Sequence, residues 1–123
     1  MPERIVPMIH VPDVLATAEW YASIGIEIRD LAREDGDNGA VVWALLRLGE
    51  STIMLNCGGT PSDALRREFD LYIHTDDVDK LRARLDGHVN VIEDLRDTFY
   101  GMREFLLRDF NGFWITFGQP VRP

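Results

Sequence analysis

Apolar and polar residues alternate along most of this chain, and a helical period interrupts the alternation twice. Arg4 to Val11 alternates, with Ile5, Pro7, Ile9 and Val11 on one face and Val6, Met8 and His10 on the other. Pro7 removes a backbone donor, which predicts a strand at a sheet edge. Asp13 is placed to cap a helix with the apolar stripe Val14, Leu15, Ala18, Tyr21, Ala22 and Ile24, and Gly25 ends it. Ile26 to Glu34, Val41 to Leu48 and Thr52 to Cys57 then read as strands. Gly58 to Arg67 is a loop in which Asp63 is expected to cap a helical turn through Ala64, Leu65 and Arg66.

The order then begins again. Phe69 to Thr75 reads as a strand, and Asp76 or Asp77 caps a helix with the stripe Val78, Leu81 and Leu85. Val89 to Leu95 is a strand and Arg96 to Gly101 a loop. Glu104 to Gly118 closes the chain as a hairpin around Asn111-Gly112, a dipeptide that predicts a two-residue type I′ turn with positive φ at both positions. This is βαβββ met twice. His10-Val11-Pro12-Asp13-Val14 and His74-Thr75-Asp76-Asp77-Val78 lie 64 positions apart, and Leu45-Leu46-Arg47 and Leu106-Leu107-Arg108 lie 61 apart. One shorter loop in the second half accounts for the difference, so the pattern is that of an internal repeat.

In the outer strands of each half the odd positions are apolar: Ile5, Ile9, Ile53, Leu55, Leu71, Ile73, Ile115 and Phe117. That face is expected to meet the helices. The opposite face mixes Met8, His10, Trp43, Arg47, Met54, Asn56, Asp70, Tyr72, His74, Glu104, Arg108, Trp114 and Thr116, which suits the lining of a small-molecule cavity. Glu104 would serve as a general base if desolvated, but a salt bridge to Arg47 or Arg108 is the expected use.

Charge narrows the partners. Lys+Arg 13 against Asp+Glu 21 gives −8, which argues against nucleic acid and anionic membrane. The single Cys57 excludes an internal disulfide and a paired-cysteine zinc motif. No apolar run approaches the roughly 20 residues of a membrane helix. Met-Pro-Glu-Arg-Ile-Val-Pro at the N-terminus lacks the apolar core of a signal peptide, so a cytoplasmic protein is expected.

Pro7-Met8-Ile9-His10-Val11-Pro12-Asp13, followed by Trp20-Tyr21 and Ile24-Gly25-Ile26, resembles the opening of vicinal oxygen chelate proteins. These include glyoxalase I, ring-cleaving dioxygenases and bleomycin resistance proteins. Arg108-Asp109-Phe110-Asn111-Gly112-Phe113 is similar to the family's closing Asp-Pro-Asp-Gly hairpin, with Phe110 in place of the proline. The resemblance spans essentially the whole chain. It implies an α+β fold in which two βαβββ modules form a cup-shaped mixed sheet with helices on the outer face, commonly in a homodimer. Module one would be residues 1–57, the linker 58–68, module two 69–118 and the tail 119–123, together one domain.

The family's enzymes place metal ligands, usually His, Gln or Glu, on the first and fourth strands of each module. The matching positions here are Val6, Met54, Asp70 and Thr116, a set of donors unsuited to a hard divalent cation. His10 and His74 lie four residues beyond those positions, about 13 Å along a strand, and either bind a ligand separately or end a strand in water. The resemblance therefore implies the ligand-sequestering branch typified by bleomycin resistance proteins, with no metal, no cofactor and no catalytic residue. The ligand would be an aromatic or amphipathic small molecule held by His10, Trp43, Met54, Asn56, Tyr72, His74, Glu104, Trp114 and Thr116. Two alternatives stay open: a metal-dependent lyase or dioxygenase with non-standard ligands, and a structural homodimer with a vestigial cup.

Overall fold

The structure is a computed structural model that describes residues 3–36 and 38–121. The chain divides into two compact units at the Pro61–Ser62 junction. The first holds β1 (Met8–His10), α1 (Val14–Ser23), β2 (Glu27–Arg33), β3 (Val41–Leu48) and β4 (Ser51–Asn56). The second holds β5 (Asp70–His74), α2 (Val78–Leu85), β6 (Asn90–Asp97), β7 (Met102–Arg108) and β8 (Trp114–Pro120). Each unit is βαβββ around a four-stranded mixed sheet, ordered β1-β4-β3-β2 in one and β5-β8-β7-β6 in the other. In both sheets the first strand runs parallel to the fourth at the edge, and the other pairs are antiparallel. The α+β class and the paired modules are therefore as the sequence predicts. No helix among the described residues is long and apolar enough to cross a membrane.

Both helices start where their caps predict. Asp13 accepts the Ala16 N–H at 2.9 Å, and Asp77 accepts the Lys80 N–H at 3.0 Å. Starting at Val14, α1 turns Val14, Thr17, Ala18 and Tyr21 inward, the i, i+3, i+4, i+7 stripe. Thr17 thus takes the inward place expected of Ala22, which is exposed. Its hydroxyl can be buried because it donates to the Asp13 carbonyl at 2.7 Å. In unit one Ile9, Leu55 and Ala44 form a cross-strand row of the core, and Leu46 lies beside them. In unit two the matching rows are Leu71, Ile115 and Leu107, then Ile73, Phe117 and Phe105, whose two phenyl rings stack at 5.4 Å.

Five local expectations change, one of them at β6, which runs to Asp97, two residues into the expected Arg96 to Gly101 loop. The first strand is three residues long rather than Arg4 to Val11, and Ile5 is 93% exposed. Pro7 is the cause: its carbonyl accepts the Met54 N–H at 2.8 Å, but it has no N–H to carry the ladder further back. Ala64 to Arg66 form no helical turn; the Ala64 N–H is met by the Ser62 hydroxyl instead. Strand β8 continues through Pro120, past the expected end at Gly118. The closing turn is not the two-residue type. Only Gly112 has positive φ (86°), the Asp109 N–H donates to the Phe113 carbonyl, and the Gly112 N–H donates to the Asp109 carbonyl. This is a three-residue loop with glycine in the left-handed position. Asp109 selects it, since its Oδ1 accepts the N–H groups of both Asn111 and Phe113 at 2.8 Å.

Candidate functional site

The strand registers gather the predicted residues of each unit on the sheet face away from its helix. In unit one His10, Asn56 and Trp43 form one cross-strand row, and Met8, Met54 and Leu45 form the next. The polar groups here are used locally. The His10 ring donates from Nδ1 to the Cys57 carbonyl (3.1 Å), and Asn56 donates to the Met8 sulfur while accepting the Cys57 N–H. This face is soft and apolar, with His10 the one ionisable side chain in the two rows.

Unit two carries the ionisable chemistry. Its rows are Asp70, Trp114 and Arg108, then Tyr72, Thr116 and Leu106, then His74, Gly118 and Glu104. Glu104 is 3% exposed, and both of its carboxylate oxygens are taken. The Tyr72 hydroxyl donates to Oε2 and the Tyr100 hydroxyl to Oε1, each at 2.6 Å. Tyr72 belongs to β5 and Glu104 to β7, so the phenol must pass over β8, which lies between them. It passes at Gly118. A Cβ there would lie 2.9 Å from Tyr72 Cζ and overlap its hydroxyl, so the absent side chain is the channel through which the bond forms. The His74 ring tilts against Tyr72 at 5.1 Å.

The expected salt bridge of Glu104 is absent. Arg108 sits on the same face but four residues along β7, about 13 Å away at the strand's rise, and donates to the Leu65 carbonyl at 2.8 Å. Arg47 donates to the Gly49 carbonyl. Among the described residues no Lys or Arg lies within ion-pair distance of Glu104. The two phenols are held protonated. Lost hydration and then the carboxylate that accepts its proton push Tyr72 well above the ordinary phenol range, and the bond to Glu104 followed by lost hydration pushes Tyr100 up.

Trp114 is drawn into a different setting. The Arg66 guanidinium lies 4.3 Å over its ring, its indole N–H donates to the Leu65 carbonyl at 3.3 Å, and Arg66 also pairs with Asp70 at 2.8 Å. The segment before β5 therefore covers Trp114 and ties up Asp70. The structure thus brings Tyr72, His74, Glu104 and, through its row, Thr116 together, and holds Trp114 apart under this segment.

The four positions that the resemblance assigns to metal ligands do not fit a divalent cation. Val6 is apolar and Met54 a thioether in unit one, while unit two offers Thr116 and an Asp70 already paired with Arg66. No three His, Cys, Asp or Glu side chains gather into a metal-sized cluster among the described residues.

Tyr100 is the site residue that sequence reasoning missed, because it lies in a segment read as plain loop. A signal was present. Thr98-Phe99-Tyr100-Gly101 repeats the spacing of Asp109-Phe110-Asn111-Gly112, and it folds into the same turn. The Thr98 N–H donates to the Met102 carbonyl, the Gly101 N–H to the Thr98 carbonyl, and Gly101 has φ of 84°. The turn folds Tyr100 back onto Glu104, four residues ahead.

Paired βαβββ units with a mixed polar and aromatic sheet face define a two-module class of α+β protein. The profile of the Glyoxalase/Bleomycin resistance protein/Dioxygenase superfamily matches residues 5–117, and the chain belongs to that family. An uncharacterized protein of Mycobacterium bovis is 29% identical over 94% of this chain and 82% of its own length. Solved structures show the same fold at lower identity. A glyoxalase-related enzyme from Clostridium phytofermentans matches with a TM-score of 0.76 at 16% identity, over 98% of this chain and 97% of that one. TioX from Micromonospora sp. ML1 matches at 0.74 and 20%, over 98% and 100%. A bleomycin-binding protein complexed with bleomycin matches at 0.69 and 16%, over 96% and 98%.

Proposed function

We propose that this protein is a metal-free small-molecule binding protein that sequesters an aromatic or amphipathic ligand on its mixed sheet faces, as a cytoplasmic homodimer. The observation that carries the reading is the unit-two face. Tyr72 is 44% exposed there, alongside the exposed His74, and is fixed by its bond to the buried Glu104. Aromatic rings held this way present area at little entropic cost, since their torsions are already set. The donor set at the family's metal positions favours binding over metal-assisted chemistry. One neighbour of this fold is a bleomycin-binding protein solved with bleomycin, so the architecture accommodates a drug-sized ligand.

The test is calorimetric titration with a panel of planar aromatic and amphipathic compounds, on protein whose metal content is measured in parallel. Saturable one-site binding with metal far below one per chain is expected. No binding across the panel overturns the reading. Stoichiometric metal that supports lyase or ring-cleaving activity replaces it with the enzymatic alternative. Sedimentation of the same sample is expected to report a dimer at micromolar concentration, and a strict monomer removes that part of the proposal.

A further inference from the structure

Among the described residues no Lys or Arg lies within ion-pair distance of the buried Glu104 carboxylate. Burying a charge costs several kcal/mol unless it is paired, and the two phenols provide hydrogen bonds but no positive charge. The cation nearest in register is Arg96, the cross-strand neighbour of Glu104; it pairs with Glu93 at 2.8 Å, and its charge also reaches Tyr100 from outside ion-pair distance of Glu104. The phenols also have a fixed direction. Each donates its proton to Glu104, so the capacity that remains on both hydroxyl oxygens is to accept, not to donate. A phenol polarised by a carboxylate behind it is a stronger acceptor than a free one. Beside this pair stands an aromatic surface: Phe99 is fully exposed and meets the Tyr100 ring edge-on at 5.1 Å, and His74 lies against Tyr72. The chain's charge of −8 adds to the same sign of field.

We infer that the Tyr72–Glu104–Tyr100 cluster is a recognition site for an organic ammonium, which selects a protonated amine attached to an aromatic body over neutral and anionic analogues. The ammonium donates to the two phenol oxygens, whose own protons go to the Glu104 carboxylate, while the aromatic body rests on Phe99, Tyr100 and Tyr72. An anion meets hydroxyl oxygens that can only accept, backed by a carboxylate, and is repelled. This assignment rests on the ligand-binding reading above and names the chemical class that site takes.

The test uses three molecules of one shape: 1-naphthylmethylammonium, 1-naphthylmethanol and 1-naphthoate, titrated calorimetrically into the full-length protein at low salt. The cation is expected to bind about tenfold or more tightly than the alcohol, the scale of one charge-assisted hydrogen bond, and the carboxylate more weakly than either. Glu104→Gln is expected to bring the cation down to the alcohol's affinity. Tyr100→Phe, which keeps the carboxylate and alters an exposed ring, guards against a folding defect in the first variant and is expected to reduce the cation's advantage alone. Equal binding of cation and alcohol by the unaltered protein, or a preference that survives Glu104→Gln, overturns this inference and leaves the binding reading standing. Binding of none of the three overturns this inference, and the wider panel decides the binding reading.

Discussion

Gly118→Ala tests the geometry on which the site depends, with one methyl group. Gly118 is not held in a left-handed conformation, so alanine costs the backbone nothing there. The added Cβ would overlap the Tyr72 hydroxyl and sit 2.9 Å from Cζ and 3.3 Å from Cε1. Every one of those atoms is at the far end of a half-exposed side chain, so Tyr72 swings out and the sheet stays. What is lost is the 2.6 Å bond to Glu104. A hydrogen bond to a charged group is worth about 1.5–3 kcal/mol. Against this, replacing glycine by alanine gains about 0.4–1 kcal/mol by restricting the unfolded chain. The expected net loss is therefore about 1–2 kcal/mol. Equilibrium urea unfolding, followed by circular dichroism, reads it in a double-mutant cycle with Tyr72→Ala. Once Tyr72 is gone there is nothing at Gly118 to displace, so Gly118→Ala becomes neutral or slightly stabilising, and the coupling equals the lost bond. If Gly118→Ala costs the same with and without the Tyr72 side chain, the phenol does not cross the sheet over this glycine.

Two further predictions follow from the separate faces and from the phenols. Ile115→Ala truncates a fully buried side chain between Leu71 and Leu107 and is expected to cost about 2–5 kcal/mol in urea unfolding; little or no loss would mean that this row is not core. Tyr72 titrates above its ordinary value of 10.0 in the folded protein, so its contribution to stability is complete below that pH and is lost as pH rises beyond it. Melting temperature is accordingly expected to fall more steeply above about pH 10 in the unaltered protein than in Tyr72→Phe, and parallel profiles would refute the assignment.

What the sequence makes legible here follows from locality. Helix starts are set by Asp13 and Asp77, whose carboxylates act within three residues, and the strand faces by a period of two. The repeat is legible because both halves must bury the same rows. The site is only partly legible, because it depends on relations across strands. Glu104 and Arg108 share a face, which the alternation shows, but they stand too far apart along β7 to pair. Tyr72 reaches Glu104 only because Gly118 lies between them, a relation that requires the β5-β8-β7 order as well as the pattern. Trp114 is correctly placed on its face, yet the pattern cannot show that Arg66 would lie over it.

The registers also show why one module carries the acceptor cluster and the other does not. Superposing the repeats by strand pairing sets Met8 against Tyr72, His10 against His74, Asn56 against Gly118 and Trp43 against Glu104. On the buried side the counterparts stay apolar: Ile9, Leu55 and Ala44 answer Ile73, Phe117 and Phe105, with Ala44 and Phe105 exchanging bulk within a common chemistry. Packing explains that constancy, since a polar group there would lose its hydration without a partner. The opposite face bears no such constraint, and in module one each element of the cluster is missing. A thioether stands where the phenol would be, an indole replaces the carboxylate, and Asn56 fills the gap through which the side chain would pass. The three substitutions are coupled physically. Without a carboxylate at position 43 an open channel at position 56 has nothing to lead to, and with Asn56 in place a tyrosine at position 8 has no path. The fold is therefore conserved between the modules by its core, while the chemistry of the free face resides in one of them as a unit.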